Sequence, residues 1–261
     1  MATLVNGGTQ NYHGLLVSVQ SRPSRGINVN GNYTWSHCIG DYTGRANNGN
    51  GSSVTHTYLD PTNRRRDRAN CESDQRHIFN LTAVAETPQF ANRTLRWLGA
   101  GWRLSGIYRA SSSSTGSAYR TVGLGDPPTN QQTAAGIDPC LCDIAGQRPN
   151  LDLADIYKDK SGRPLTQYLN PAAFAVPASG TLGNAGRGIV KLPYAWQFDI
   201  ALARVFRFRE TQSMEFRAEA YNVTNSFRPG EITLNLTSSQ FGQVRNALEP
   251  RILQFALKYL F

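Results

Sequence analysis

The sequence contains no run of 18 apolar residues, so it offers no helix able to cross a bilayer. Its start, MATLVNGGTQ, has neither a basic opening nor an apolar core, and no secretory signal is read there. The four cysteines show no C-x-x-C spacing and no histidine cluster completes a zinc set, so a structural metal is not expected. The glycine-rich stretch GTLGNAGRG at 180–188 lacks the Lys-Ser/Thr pair of a phosphate-cradling loop and does not join a strand to a helix. A flexible loop is expected there. No nucleophile elbow, catalytic triad or separated carboxylate pair can be assembled, so neither an enzyme nor a cofactor is expected. The basic run NRRRDR at 63–68 could hold phosphates of nucleic acid or lipopolysaccharide, but it has none of the interleaved aromatics usual in nucleic-acid readers. It reads as a solvated loop whose arginines pair with Asp60, Asp67, Glu72 or Asp74, with no nucleic-acid partner.

What remains is a chain of 261 residues, 39% hydrophobic, with a formal charge of +9. That length suits one large domain or two small ones. The positive charge points weakly to acidic partners, among them an anionic headgroup layer. A chain this polar can still enter a membrane as a β-barrel, because barrel strands are short and only half apolar.

Alternation with period two recurs seven times, over residues 13–21, 26–36, 77–87, 101–110, 194–206, 213–224 and 251–261. In the second, Ile27, Val29, Gly31, Tyr33 and Trp35 alternate with Asn28, Asn30, Asn32, Thr34 and Ser36. In the last, Leu253, Phe255, Leu257, Tyr259 and Phe261 form one apolar stripe opposite Gln254, Ala256 and Lys258. Charges gather on the polar faces: Arg103, Arg109, Asp199, Glu215, Arg217 and Glu219 are candidates for a polar lumen. A charge on the lipid face at mid-bilayer would cost roughly 2–4 kcal/mol. Arg204 is the exception, in register with Leu202 but near a strand end, where it can snorkel. Trp35, Trp102, Tyr108, Trp196 and Tyr259 lie near strand ends, as interfacial aromatics do. No segment has a strong helical period, and a short helix is expected only around 151–157.

The connections alternate in length. Residues 22–25, 88–100 and 207–212 are short; 38–76, 111–193 and 225–250 are long. Antiparallel strands crossing an outer membrane have short periplasmic turns and long external loops. The last strand then runs inward, and Phe261 ends at the periplasm. Seven is an odd count where single-chain bacterial barrels have even ones, so a missing preceding strand is expected and residues 1–261 read as a partial barrel domain. The fold class is all-β: an antiparallel up-and-down transmembrane barrel segment with long external loops. Cys38 and Cys71 bracket one such loop, and a disulfide between them is expected in an oxidising compartment, two free thiols being the alternative. Cys140 and Cys142 are too close for an easy mutual bridge. His37 and His77 lie at the two ends of the same loop, a weak candidate pair for a metal.

The stretches NYHGLLVSVQ at 11–20, NYTWSHC at 32–38, SDQRHIFNLTAV at 73–84 and GWRLSGIY at 101–108, then NPAAFAVPASGTLGNAGRG at 170–188, FDIALARVF at 198–206, FRAEAYNVTN at 216–225 and the closing EPRILQFALKYLF, resemble the C-terminal barrel of TonB-dependent outer-membrane receptors. The similarity is to the Oar-like group, whose members often carry a carboxypeptidase-regulatory-like domain, and it spans almost the whole chain. It implies a barrel of about 22 strands, a plug inside it and an energy-coupling box near the start of the full receptor. Neither plug nor box stands in this sequence. By the same resemblance Phe255, Tyr259 and Phe261 form the signal read by the barrel assembly machinery. The implied partners are outer-membrane lipid, the remaining strands and plug, and, only through the missing N-terminal part, a periplasmic energy-coupling protein. The expected function is the C-terminal wall of a receptor for ligand uptake in the cell outer membrane. A passive barrel or surface adhesin is the alternative. A soluble β-sandwich binding glycans would need protein over both sheet faces.

Overall fold

The computed structural model describes residues 8–24, 26–41, 58–60, 62–71, 73–88, 90–113, 118–124, 147–158, 167–178, 181–208 and 212–261. Seven long strands lie side by side in chain order, every neighbouring pair antiparallel. They are β1 (Gln10–Ser24), β2 (Ile27–Gly40), β3 (His77–Glu86), β4 (Trp102–Ser111), β5 (Ala195–Arg207), β6 (Ser213–Tyr221) and β7 (Ile252–Leu260). The two-residue strand Ala69–Asn70 pairs with the end of β2. All seven expected strands are present; β1 and β2 run several residues longer than their alternation suggested.

Register explains why the pattern in each strand becomes one surface. Tyr33 pairs with Val17 and Phe79, Tyr108 with Leu81 and Phe198, and Leu202 with Leu104 and Ala218, which pairs in turn with Phe255. A slip of one residue at any interface would send that strand's apolar set to the other face. The result is a continuous apolar face across all seven strands. Among the described residues no second sheet covers it, and Leu15, Leu253, Phe255 and Leu257 are exposed. An apolar surface this broad marks a contact with lipid or another apolar phase, and it excludes the sandwich. Rings gather near its upper end, where Tyr108 lies 6.0 Å from both Phe79 and Trp196.

Local chemistry sets the strand ends. Gly26, at φ 85°, makes the tight turn from β1 to β2 in a conformation most L-residues avoid. At the exit of β6, Asn222 and Asn225 also take positive φ, 47° and 50°, which asparagine tolerates. Asn222 is buried: its amide N–H donates to Asp199 (2.8 Å), while its side chain accepts from the Ser226 amide (2.9 Å) and donates to the Ser226 carbonyl (3.1 Å).

The short link between β3 and β4 holds the one α-helix among the described residues, α1 (Arg93–Gly99). Asn92 caps it, its side chain accepting from the amides of Thr94 (2.9 Å) and Leu95 (3.2 Å). The expected helix at 151–157 is absent. Asn150–Leu151 instead forms a two-residue strand with Phe174–Ala175, and Tyr157 bridges Leu169. Their backbone groups are satisfied across the chain rather than along it.

Candidate functional site

The polar face of the sheet is built from rungs. One runs Ser18, Asn32, Asn80, Arg109, Gln197, each paired with the next across β1 to β5. The six expected lumen charges all lie on this face and fall into four settings. Arg103 is paired with Glu86 at 2.8 Å. Arg217 sits between Glu215 (2.9 Å) and Glu219 (3.7 Å), a ladder along β6 that follows from the side-chain period of two. Asp199 accepts from Gln197 at 2.6 Å and from the Asn222 amide. The Arg109 side chain has no hydrogen bond or ion pair among the described residues, and it lines a cavity of about 280 Å³ with Asn80, Gln197, Arg228 and Leu248. Arg228 closes that cavity from the long link after β6, donating to the Gln197 side chain and to the Glu249 carbonyl (2.8 Å). An uncommitted guanidinium facing such a cavity can receive a carboxylate, a phosphate or an acidic side chain.

Above this end of the sheet the long links fold together into a lobe with its own core. Val122, Ile156, Leu169, Phe174, Val190, Ile232, Phe241 and Val244 pack there, drawn from segments far apart in sequence. Alternation gives no hint of this lobe, because its strands are two residues long. Its polar anchor is Asp67. The carboxylate pairs with Arg148 at 3.1 Å and accepts from the Leu59 amide at 3.0 Å, with both charged residues buried. Burial holds the Arg148 guanidinium below its usual pKa, and the Asp67 carboxylate offsets this only in part.

The basic run at 63–68 is in part the expected solvated face, with Asn63, Arg65 and Arg68 exposed, and in part tied into the lobe. Arg64–Asp67 forms one turn of 3₁₀-helix; Arg66 donates to the Gly183 carbonyl (2.7 Å), and Arg64 lies 4.9 Å over the Tyr58 ring. Asp67 pairs with Arg148, and Asp74 with Arg76 (3.3 Å), both partners from outside the run. Glu72 lies outside the described residues. The glycine-rich stretch is no loose loop either in its described part, 181–188. Ala185 and Arg187 are buried, and Arg187 donates to the carbonyls of Asp67 (2.8 Å) and Gly40. A Cβ at Gly183 would fall 1.8 Å from the Arg148 carbonyl, so the glycine is required by close backbone approach. Gly180 lies outside the described residues.

Cys38 and Cys71 are joined by a disulfide with Cα atoms 5.3 Å apart, which ties β2 to the lobe. Cys140 and Cys142 lie outside the described residues. His37 and His77 turn to separate partners, Arg76 (2.6 Å) and Tyr33 (2.8 Å), so the structure does not assemble them into one site. Ser112 and Ser113 are buried where β4 enters the lobe, and 114–117 lie outside the described residues.

Arg204 departs most from expectation. It does not snorkel into water but is buried, only 8% exposed. The helix α1 folds back over the strand ends, and Arg204 donates to its last carbonyls, Leu98 (3.0 Å) and Trp97. The guanidinium also stands 5.0 Å from the Trp102 ring and 4.5 Å from that of Phe206. A cation at a helix C-terminus is favoured by the partial negative charge there. At the same end of the sheet Phe255, Tyr259 and Phe261 are exposed along β7, Tyr259 and Phe261 with ring centroids 6.2 Å apart.

Comparison with known proteins gives one family: a model described as an outer membrane beta barrel domain matches residues 1–254. No curated protein and no solved structure matches the chain.

Proposed function

This chain belongs to the outer membrane β-barrel domain family and resides in the cell outer membrane, and on that premise we propose that it is the C-terminal wall of a TonB-dependent receptor. In that role it is non-catalytic, and a ligand enters through the complete barrel with energy coupled from the periplasm. The observation that carries the proposal is the division of the sheet's two ends. Short links close one end, and at the other the long links fold together into a lobe, two of them sharing its apolar core and the first tied in through Arg66 and Asp67. The motif order from NYHGLLVSVQ to the closing strand supports the receptor group in particular. Strand parity supports a larger barrel: among the described residues β1 and β7 are the first and seventh long strands and run in the same direction, so antiparallel closure between them needs further strands. Arg109 and the Glu215–Arg217–Glu219 ladder then face a plug or a passing ligand.

The test is the genomic sequence upstream of codon 1, read with the size of the polypeptide that an antibody against the lobe detects in outer-membrane fractions. A polypeptide carrying a plug and an energy-coupling box is expected. A 28.7 kDa barrel with neither would overturn the receptor reading. It would favour a passive barrel or adhesin, a second reading that draws support from the lobe's self-contained core. Binding would then reside in the lobe alone.

A further inference from the structure

We propose that the groove between α1 and the end of β5 binds an anionic phospholipid of the periplasmic leaflet. The proposal rests on the outer-membrane location and not on the receptor reading. β5 runs on past β4, because Trp102 at the start of β4 pairs with Arg204. On its β4 side the end of β5 is therefore flanked by α1 instead of a strand, leaving a groove of about 830 Å³.

Its lining combines two chemistries. Arg93, Arg96, Arg204 and Arg207 line it, with no carboxylate among the described lining residues. Two of these arginines are committed: Arg204 to the helix carbonyls, Arg96 to those of Phe90 (2.9 Å) and Ala91 (3.0 Å). The side chains of Arg93 and Arg207 have no hydrogen bond or ion pair among the described residues. Beside them Trp97 is 72% exposed and Phe208 60%. Exposed rings next to free guanidiniums, at the rim of an apolar face, match the boundary between headgroups and acyl chains. Guanidinium pairs with phosphate bidentately. Arg93 and Arg207 receive the phosphodiester, while Trp97 and Phe208 lie along the upper part of the acyl chains. The leaflet follows from the fold: this end carries the short links, and the periplasmic leaflet of an outer membrane is phospholipid. The phosphates of lipopolysaccharide lie at the other end.

The test uses the full chain extracted in detergent and titrated separately with phosphatidylglycerol, phosphatidylcholine and lipid A, with bound lipid counted by native mass spectrometry. One phosphatidylglycerol is expected to bind at least about tenfold tighter than phosphatidylcholine. At about one basic residue's worth of surface attraction each, R93Q should weaken it about fivefold and R93Q/R207Q about 30-fold. K191Q, in the lobe, should leave it unchanged. Equal binding of the two phospholipids, preference for lipid A, or indifference to R93Q/R207Q overturns the proposal. If the double variant fails to fold, as judged by heat-modifiable mobility, the wild type decides. Phosphatidylglycerol with brominated chains should quench its tryptophan fluorescence more than brominated phosphatidylcholine, and W97F should abolish the difference. No difference in the wild type overturns the proposal equally.

Discussion

Replacing Arg204 by alanine should release α1 from the sheet and leave the strands paired. Arg204 makes hydrogen bonds to two helix carbonyls, Leu98 and Trp97, and lies over two rings. Hydrogen bonds from a charged donor are worth about 1.5–3 kcal/mol, and an exposed cation–π contact about 0.5–1 kcal/mol. Against this, removing an arginine from the rim of the lipid face recovers up to about 1 kcal/mol. Trp102 also still holds Leu98, its Nε1 donating to that carbonyl at 2.9 Å. Because the Leu98 carbonyl keeps its Trp102 donor, counting only the Trp97 bond and one ring contact as lost outright gives a net loss of about 2 kcal/mol, which is about 30-fold in the opening equilibrium of the helix. Hydrogen exchange of the folded protein in lipid measures it directly. The amides of Arg96 and Ala100, which donate to Asn92 and Arg96, should exchange about 30-fold faster in R204A, while that of Ile200 within β5 should not change. R204K should fall between, because one ammonium cannot hold both carbonyls in the geometry of a guanidinium fork. Unchanged exchange at Arg96 and Ala100 would show Arg204 to be a solvated cation with no hold on the helix. Equal acceleration at Ile200 would show that the sheet itself depends on it.

Three other outcomes follow from the lobe. D67N should cost about 3–5 kcal/mol, since it strands Arg148 as an unpaired buried cation, and D67L/R148L should cost less; proteolysis of the lobe in intact outer membranes reports both, and a D67N lobe as resistant as wild type refutes the pairing's role. Opening the Cys38–Cys71 bridge, whose ends are 33 residues apart, should cost the lobe about 4 kcal/mol of closure entropy, read as a lower denaturant midpoint under reductant. Asp41, which accepts from the Thr9 amide, should show a sign-definite pH dependence. Burial raises its pKa, but the Thr9 bonds outweigh that and hold it below 3.8. Its contribution is thus complete above 3.8 and is lost as pH falls through the lower folded value. Protection of the Thr9 amide should be flat down to about pH 5 and fall only in stronger acid, and D41N should remove that dependence.

The seven strands were legible because each carries its own evidence: period two survives in any stretch long enough to show four or five alternations. The polar-face charges were legible for the same reason, and Glu215, Arg217 and Glu219 needed no information beyond their spacing. The lobe left no comparable trace. Val122 and Phe174 stand about fifty positions apart within one link and Phe241 comes from another, so they meet only through contacts between residues distant in sequence. Arg187 and Gly183 looked like part of a loose glycine loop because neither burial nor close backbone approach has a sequence period. α1 spans only seven residues, too few for a helical repeat to show, and Asn92 was its one local signal. Arg204 was misplaced in consequence, since the carbonyls that bind it belong to a helix the alternation could not reveal.

The lobe's wide sequence separations also set an order of events. Gly123 donates to Leu234, and the Leu169 amide to Gly242, so its closing contacts join links that leave different strands. Closing a chain segment of that length from the unfolded state costs entropy before any contact repays it. Once β4, β5 and β6 are paired, those link ends are already neighbours and most of that cost has been met. Packing of the lobe is therefore a late step in assembly, completed after the wall stands. In pulse-labelling during refolding, protection of the Gly123 and Leu169 amides should trail that of the amides shared between β4 and β5.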